Sequence, residues 1–234
     1  AFVLNENVYP VTVSENEEVI KIEIENRFIT GSVQTTKVDA EYPDNKLTGA
    51  VFEVYVDADG NQEFDPDIDR MVGEMNEIED GVYQMDGLRY NGYFLYEKSS
   101  PEGFLKDENY HYFEIRNDGE TVIVENEAGV GFVNQPITGE LEITKKDISD
   151  GKLLPGVGFR IKNEQGEIVA EGYTDENGIA KFTLRYGKYT YQEFDPLDGY
   201  QPDETEYPFE IKEDGEIIKA EMTNERIPTP DIPQ

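Results

Sequence analysis

Lysine, glutamate and asparagine recur in the same order along two similar stretches of the chain. Lys37 ends an alternating segment in which Val33 lies on the same face, and Lys145 follows Leu141 in the same way. Because side chains alternate between the two faces of a strand, both lysines should point toward the interior. A lysine is seldom fully buried without a partner, so each of these lysines needs one.

Glutamate and asparagine supply matching partners on later segments. Glu97 and Glu193 end segments whose alternate residues are apolar or aromatic, and Asn134 and Asn224 end segments of the same kind. Chance placement of solvated charges explains a single lysine. It explains poorly a set of lysine, glutamate and asparagine that recurs in the same order, with each residue on the inward face of its strand. A buried lysine–glutamate ion pair, hydrogen-bonded to asparagine, is a second structural interpretation.

A covalent cross-link is the third interpretation of the set. Burial in an apolar core lowers the pKa of a lysine and raises that of a carboxyl group, so the amine becomes a nucleophile and the acid stays protonated. A neutral glutamate can donate a hydrogen bond to the asparagine carbonyl and polarise it. Attack by the amine expels ammonia and leaves an isopeptide bond. The fold supplies the proximity, so no cofactor is required.

The composition excludes several classes of function. The 234 residues carry a net charge of -32, which disfavours nucleic acid and anionic membranes as partners. No long apolar run predicts insertion into a membrane. The chain has no cysteine and a single histidine, His111, so a Ser-His-Asp triad and a multi-histidine zinc site are nearly excluded. His111 lies between two tyrosines, which favours an aromatic surface cluster over catalysis.

The elements that position the recurrent residues are short alternating strands separated by Gly, Pro, Asn and Asp, which predicts an all-β architecture. Internal comparison divides the chain into repeats. We predict the last strands of a preceding repeat over residues 1–30, a complete domain over 31–138, a second over 139–228 and a proline-rich linker over 229–234. Asn26 would then be the cross-linking asparagine of the incomplete repeat.

These motifs resemble a known family. Residues 31–39 with 47–52, and residues 139–147 with 154–159, resemble the early strands of collagen-adhesin B-type (CnaB-like, SpaA-like) repeats of Gram-positive adhesins and pilins. Residues 93–104 and 189–200 resemble the segment that carries the family's glutamate. They depart from it after the glutamate, where Lys98 and Phe194 replace the usual threonine. The resemblance implies tandem immunoglobulin-like β-sandwich domains.

The same resemblance implies the site residues and the function. The bonds would be Lys37–Asn134 and Lys145–Asn224, with Glu97 and Glu193 as assisting acids; strand phase favours Lys145 over its neighbour Lys146. The chain would be a stalk or shaft module on a Gram-positive cell wall, outside the cell. Its partners would be neighbouring repeats of the same polypeptide, and its only reaction a single turnover on itself.

Two other functions fit parts of the sequence. The first is a ligand-binding adhesin domain that contacts host extracellular matrix or glycan, in a calcium-dependent or a calcium-independent manner. The second is a glycosidase with paired carboxylates. The 52 acidic residues make chance pairs inevitable, and no motif indicates a substrate cleft.

An acidic insert distinguishes the first domain. About eleven more residues separate Phe52 from Glu97 than separate Phe159 from Glu193, and much of the extra length is the acidic segment 57–69. Oxygen ligands at alternate positions around a glycine are typical of a Ca²⁺ site, although the spacing is not that of an EF-hand. A solvated loop is the alternative. The ligands predicted for Ca²⁺ are Asp57, Asp59, Asn61 and Asp65.

Overall fold

A computed structural model describes residues 1–228 and consists there of strands, turns and loops without any helix. No helix in this part of the chain could therefore cross a membrane. The predicted linker at 229–234 lies outside the described residues. The strands are β1 Thr30–Asp39, β2 Val51–Val56, β3 Arg70–Glu74, β4 Asn76–Glu79, β5 Val82–Arg89, β6 Asn91–Ser99, β7 Tyr110–Ile115, β8 Thr121–Ile123, β9 Phe132–Asn134, β10 Thr138–Asp147, β11 Gly158–Asn163, β12 Ile168–Tyr173, β13 Ile179–Arg185, β14 Gly187–Asp195, β15 Tyr207–Ile211 and β16 Ile217–Asn224.

The chain divides into two units, and each is built from strands. This confirms the prediction of an all-β fold with tandem sandwich domains. The first unit comprises Ala1–Glu102 with Lys106–Asn134, and the second comprises Gly103–Leu105 with the chain from Gln135 onward. We call the sandwich of β1–β9 the first domain and the sandwich of β10–β16 the second domain.

The first domain is built from two sheets. One sheet has the order β4-β5-β1-β8, with β9 also paired to β1, and the other has the order β3-β2-β6-β7. Strand β1 runs antiparallel to β5 and parallel to β8 and β9. The first and last strands of the domain are therefore direct neighbours.

The second domain repeats this arrangement with fewer interruptions. Its sheets have the orders β13-β10-β16 and β12-β11-β14-β15. Strand β16 pairs in parallel with β10 over the whole length of β16, from Ile217 opposite Glu140 to Asn224 opposite Asp147. Again the first and last strands of the domain lie side by side.

Strict alternation along the first strands creates the cores. In β1, residues Val33, Thr35 and Lys37 are fully buried, and in β10 Leu141, Ile143 and Lys145 are fully buried. The apolar members pack into a separate hydrophobic core in each domain. Because a strand has a period of two residues, the lysine must follow the apolar residues into the interior.

The closing strand differs between the domains. Asn134 lies thirteen positions after Thr121, whereas Asn224 lies seven after Ile217, although these pairs occupy equivalent places beside β1 and β10. Six inserted residues therefore split the closing strand of the first domain into β8 and β9. The loop 124–131 fills the gap.

The first 29 residues do not form the predicted strands. The alternation over 8–13 and 20–26 predicts strands, but this segment contains only an isolated bridge between Phe2 and Phe28. The side chains of Val11, Ile22 and Ile24 are exposed. Alternation alone does not make a strand, because the backbone also needs a partner edge for its hydrogen bonds, and residues 8–26 pair with neither sandwich.

Gly131 lies where the closing strand approaches β1, so its substitution tests how close this approach is. Its φ is +112°, and a Cβ there would lie 2.5 Å from the carbonyl oxygen of Thr36. Gly119 has a φ of +76° and open space around it, so it is a matched control. We expect Gly119→Ala to cost about 1 kcal/mol of unfolding free energy through backbone strain alone.

Gly131→Ala should add a steric cost of about 1–3 kcal/mol, because a backbone atom cannot yield as a side chain can. Urea unfolding of both variants measures the difference. Equal losses in the two variants would contradict the close approach of β9 to β1.

Candidate functional site

The structure brings Lys37, Glu97 and Asn134 together inside the first domain. Lys37 comes from β1, Glu97 from β6 of the facing sheet and Asn134 from the end of β9; their exposed fractions are 0%, 0% and 2%. Lys37 Nζ lies 3.2 Å from Glu97 Oε1. Asn134 Nδ2 donates a hydrogen bond of 2.9 Å to the same oxygen. One carboxylate oxygen thus contacts both the amine and the amide.

The other contacts orient these groups. Lys37 Nζ donates to the carbonyl oxygen of Phe132 at 3.2 Å and lies 4.4 Å from the centre of the Phe132 ring. The backbone N–H of Asp107 donates to Glu97 Oε2 at 2.8 Å. Neither Phe132 nor Asp107 was predicted from the sequence as part of the site. For Phe132 a signal existed, because it shares the inward face of the closing strand with Asn134.

The second domain brings its own set together, with the amine and the amide on different oxygens of the glutamate. Lys145 Nζ lies 2.8 Å from Glu193 Oε2, and Asn224 Nδ2 donates to Glu193 Oε1 at 2.7 Å. All three residues are at least 97% buried. Lys146 points to the opposite face and forms an ion pair with Glu221.

The asparagine carbonyl oxygens carry the clearest chemical signal. Asn134 Oδ1 and Asn224 Oδ1 are buried and have no hydrogen-bond partner. Leaving a buried acceptor unpaired costs about 1–3 kcal/mol. Turning over the amide would bring this oxygen toward the glutamate, and a protonated glutamate could then donate to it. The same imbalance occurs in both domains.

Burial lowers the pKa of Lys37 from 10.5 to about 8, although the negative charges of Glu97 and Asp107 oppose this shift. Desolvation dominates because the ammonium group loses its water inside the core. A neutral amine is therefore accessible at Lys37 near neutral pH, which is the form that nucleophilic attack requires.

The predicted Ca²⁺ ligands are only partly brought together. The carboxylates of Asp57, Asp59 and Asp69 lie within 4.8 Å of one another, whereas Asp65 is not part of this group. The side-chain amide of Asn61 donates a hydrogen bond to Asp59 at 3.0 Å. Asp69 was missed because the loop folds back on itself, and sequence spacing does not report such a contact. Asp57 already accepts hydrogen bonds from the backbone of Gly60 and Gln62. Calcium binding therefore stays a prediction, with Asp69 added to its ligands.

Asn26 is exposed, in the segment that contains no strand. His111 is half-exposed, contacts the edge of the Phe132 ring and hydrogen-bonds to Asp107 through Nε2 at 2.8 Å. It therefore joins the surroundings of the first site rather than only a surface aromatic cluster.

The lowered pKa of Lys37 has a consequence for stability that can be measured in a variant without the Asn134 amide. In an Asn134→Ala variant, the folded lysine titrates near 8 and the unfolded one near 10.5, so the unfolded state binds more protons between these values. The free energy of unfolding should then rise with pH across this window, by at most about 1.4 kcal/mol per pH unit. Urea unfolding between about pH 8 and 10 measures the slope. The double variant Lys37→Met/Asn134→Ala should lose this component, and an identical slope in both would contradict the lowered pKa.

Calcium can be tested on the acidic loop directly. If Ca²⁺ binds, isothermal titration should give one site, and Asp69→Asn should weaken it while Asp67→Asn, an exposed change in the same loop, should not. Absence of heat in the wild-type protein at millimolar Ca²⁺ would rule the site out. Screens for host protein or glycan ligands with and without Ca²⁺ would test the alternative binding function.

Comparisons with known proteins identify the family of both domains. The family model for the SpaA prealbumin-like fold domain matches residues 31–128 and 139–226. Among solved structures, the Bacillus anthracis TIE protein is 35% identical with a TM-score of 0.70, over 86% of this chain and 35% of that one. This chain therefore spans about a third of that protein.

Weaker likenesses include the minor pilin GBS52 of Streptococcus agalactiae, which is 16% identical with a TM-score of 0.39 over 87% of this chain and 99% of that one. The shaft pilin SpaA of Lactobacillus rhamnosus GG is 15% identical with a TM-score of 0.38 over 86% of this chain and 99% of that one. None of the curated proteins compared with the chain matches it. Because these TM-scores are low, the assignment rests on the match to the family model: the chain belongs to the SpaA prealbumin-like fold domain family and carries two such domains.

Proposed function

We propose that each domain cross-links its own first and last strands through an isopeptide bond, and that the chain is a structural module of a Gram-positive surface adhesin or pilin. The observation that carries the proposal is the repeated buried set of lysine, glutamate and asparagine, with an unpaired asparagine carbonyl oxygen in both domains. Two independent copies of a costly arrangement favour a shared reaction over an accident of packing.

The reaction in the first domain begins with proton transfer from the Lys37 ammonium to the Glu97 carboxylate, which lie 3.2 Å apart. The neutral amine attacks Cγ of Asn134, while protonated Glu97 polarises the amide carbonyl. A bond forms between Lys37 Nζ and Asn134 Cγ, and the bond from Cγ to Nδ2 breaks.

The protons and electrons of this reaction balance without any oxidant or cofactor. Two protons leave the Lys37 nitrogen: one reaches the departing nitrogen, which leaves as ammonia, and the other stays on Glu97. The second domain follows the same course with Lys145, Glu193 and Asn224. The reaction happens once in each domain, so the protein does not turn over a substrate.

The position of the bonds supports a mechanical role. Force that enters the first domain at Thr30 runs along β1 to Lys37, crosses to Asn134 and leaves at the end of β9. Strands β2–β8 are bypassed, so tension is borne by covalent bonds rather than by the sheet's hydrogen bonds. By the chain-entropy estimate, closing a loop of about 100 residues stabilises a fold by about 4–5 kcal/mol.

An outer-surface location follows from the same proposal. The chain contains no cysteine, so it cannot use the disulfides that stabilise many secreted domains. An isopeptide bond supplies an equivalent constraint that reducing agents do not break. Neighbouring repeats of the same polypeptide are the partners that the tandem organisation favours.

Intact mass tests the proposal. The folded wild-type protein should be lighter than its sequence by two ammonia molecules. Lys37→Ala, Lys145→Ala and Glu97→Gln should each restore one ammonia, because each removes one nucleophile or one proton carrier. Lys146→Ala is the matched control and should leave both bonds intact. An unmodified mass for the folded wild-type protein would disprove the cross-links.

A further inference from the structure

A second acidic residue accompanies the glutamate in both domains. Asp107 follows Glu97 by ten positions, and Asp203 follows Glu193 by ten positions. Each lies in the stretch that leads from the glutamate strand to the next strand, either β7 or β15. The proposed chemistry assigns no role to either aspartate.

Asp107 is held against the first site from two sides. Its backbone N–H donates to Glu97 Oε2 at 2.8 Å. Its carboxylate accepts hydrogen bonds from the backbone of Asn109 at 2.9 Å and from the side-chain amide of Asn109 at 2.6 Å. On its other oxygen it contacts His111 Nε2 at 2.8 Å. The charge of Asp107 therefore has a fixed place beside the reacting groups.

The second domain has the same aspartate with a different partner. Asp203 accepts hydrogen bonds from the hydroxyl of Tyr207 at 2.7 Å and from the backbone of Thr205 at 3.0 Å. Tyr207 stands where the first domain has His111, because each is paired with the residue two positions before the glutamate. Histidine changes its charge between about pH 5 and 8, whereas tyrosine stays neutral there.

A cavity beside the split closing strand reaches His111. Its volume is about 100 Å³, and it is lined by Asp107, His111 and Phe132 together with residues of the loop 124–131. This loop exists because of the six-residue insertion between β8 and β9. In the second domain β16 is continuous along β10 and has no such loop.

Ionisable groups from four elements lie around Asp107. Lys37 comes from β1, Glu97 from β6, His111 from β7 and Glu125 from the loop that lines the cavity. Burial raises the pKa of Asp107, but hydrogen bonds from Asn109 and His111 outweigh this effect and lower it below its usual value. Asp107 therefore carries its negative charge at neutral pH.

A fixed negative charge acts on the nucleophile of the site. It stabilises the ammonium form of Lys37 and so opposes the lowering of the pKa of this lysine by burial. Attack requires the neutral amine, so the acid limb of the reaction's pH profile follows the titration of Lys37. This limb therefore moves with the charge of Asp107.

We propose that Asp107 is a positioning residue that sets the pH range in which the first domain cross-links. In this proposal, protonated His111 neutralises the charge of Asp107 and so extends the range toward acid. The inference rests on the proposed bond between Lys37 and Asn134. It gives the two domains different responses to acid, because Tyr207 cannot neutralise Asp203.

The test follows the loss of ammonia after refolding. The chain is prepared in denaturant with Lys145→Ala, so that only the first domain can react, and its unreacted state is checked by intact mass. It is then diluted into buffers between about pH 5 and 9, and the rate of mass loss is measured at each pH. Circular dichroism confirms that each variant folds.

Asp107→Asn should move the acid limb of the profile to lower pH by about one unit, which makes the reaction about tenfold faster on that limb. His111→Gln keeps a hydrogen-bond donor but cannot become charged. It should slow the reaction at about pH 5.5 and leave it unchanged at about pH 8. Asp67→Asn removes one exposed charge from the same domain and should reproduce the wild-type profile.

The outcomes separate this inference from the proposed function. A wild-type domain that never loses ammonia would overturn both. A wild-type domain that reacts, with an Asp107→Asn profile that is unshifted or lowered equally at every pH, would overturn the inference alone. If Asp107→Asn does not fold, a His111→Gln profile identical to wild type at acid pH would overturn it.

Discussion

Burying an ammonium group in an apolar core is the constraint on which the two sites depend. Lys37 and Lys145 are fully enclosed, so each must have a carboxylate beside it or lose its charge. A glutamate from the facing sheet answers this need, and it in turn requires a donor, which the asparagine amide supplies. The result is a three-residue cluster whose members are all costly to bury alone. The proposed covalent bond would remove the charge of the lysine permanently and thereby remove the cost.

The topology makes such a cluster accessible to a single chain. The first and last strands of each domain run parallel and adjacent, so residues far apart in sequence meet at the same end of the sandwich. The facing sheet supplies the glutamate from the strand that lies across the core. The parallel pairing has a second effect: it puts the proposed bond at the point where tension would otherwise separate the two strands.

The sequence predicted the features of this structure that follow from the two-residue period of a strand. The burial of Lys37, and the orientation of Lys145 rather than Lys146, follow from alternation because a strand can present a residue to only one of two faces. Contacts made by loops could not be derived in this way. Asp69 joins Asp57 through a fold-back of the acidic loop, and Asp107 reaches Glu97 from a segment without periodicity. Residues 8–26 show the opposite failure, since they alternate like strands but pair with neither sandwich.

The most direct measurement of the central claim is a high-resolution crystal structure of the folded protein, refined without restraints between Lys37 and Asn134. The account predicts continuous electron density from Lys37 Nζ to Asn134 Cγ, a planar amide at that junction and no density for the asparagine nitrogen, with the same result at Lys145 and Asn224. Separate density for an intact asparagine amide and a lysine at hydrogen-bonding distance from glutamate would contradict the account. It would leave the two clusters as buried ion pairs.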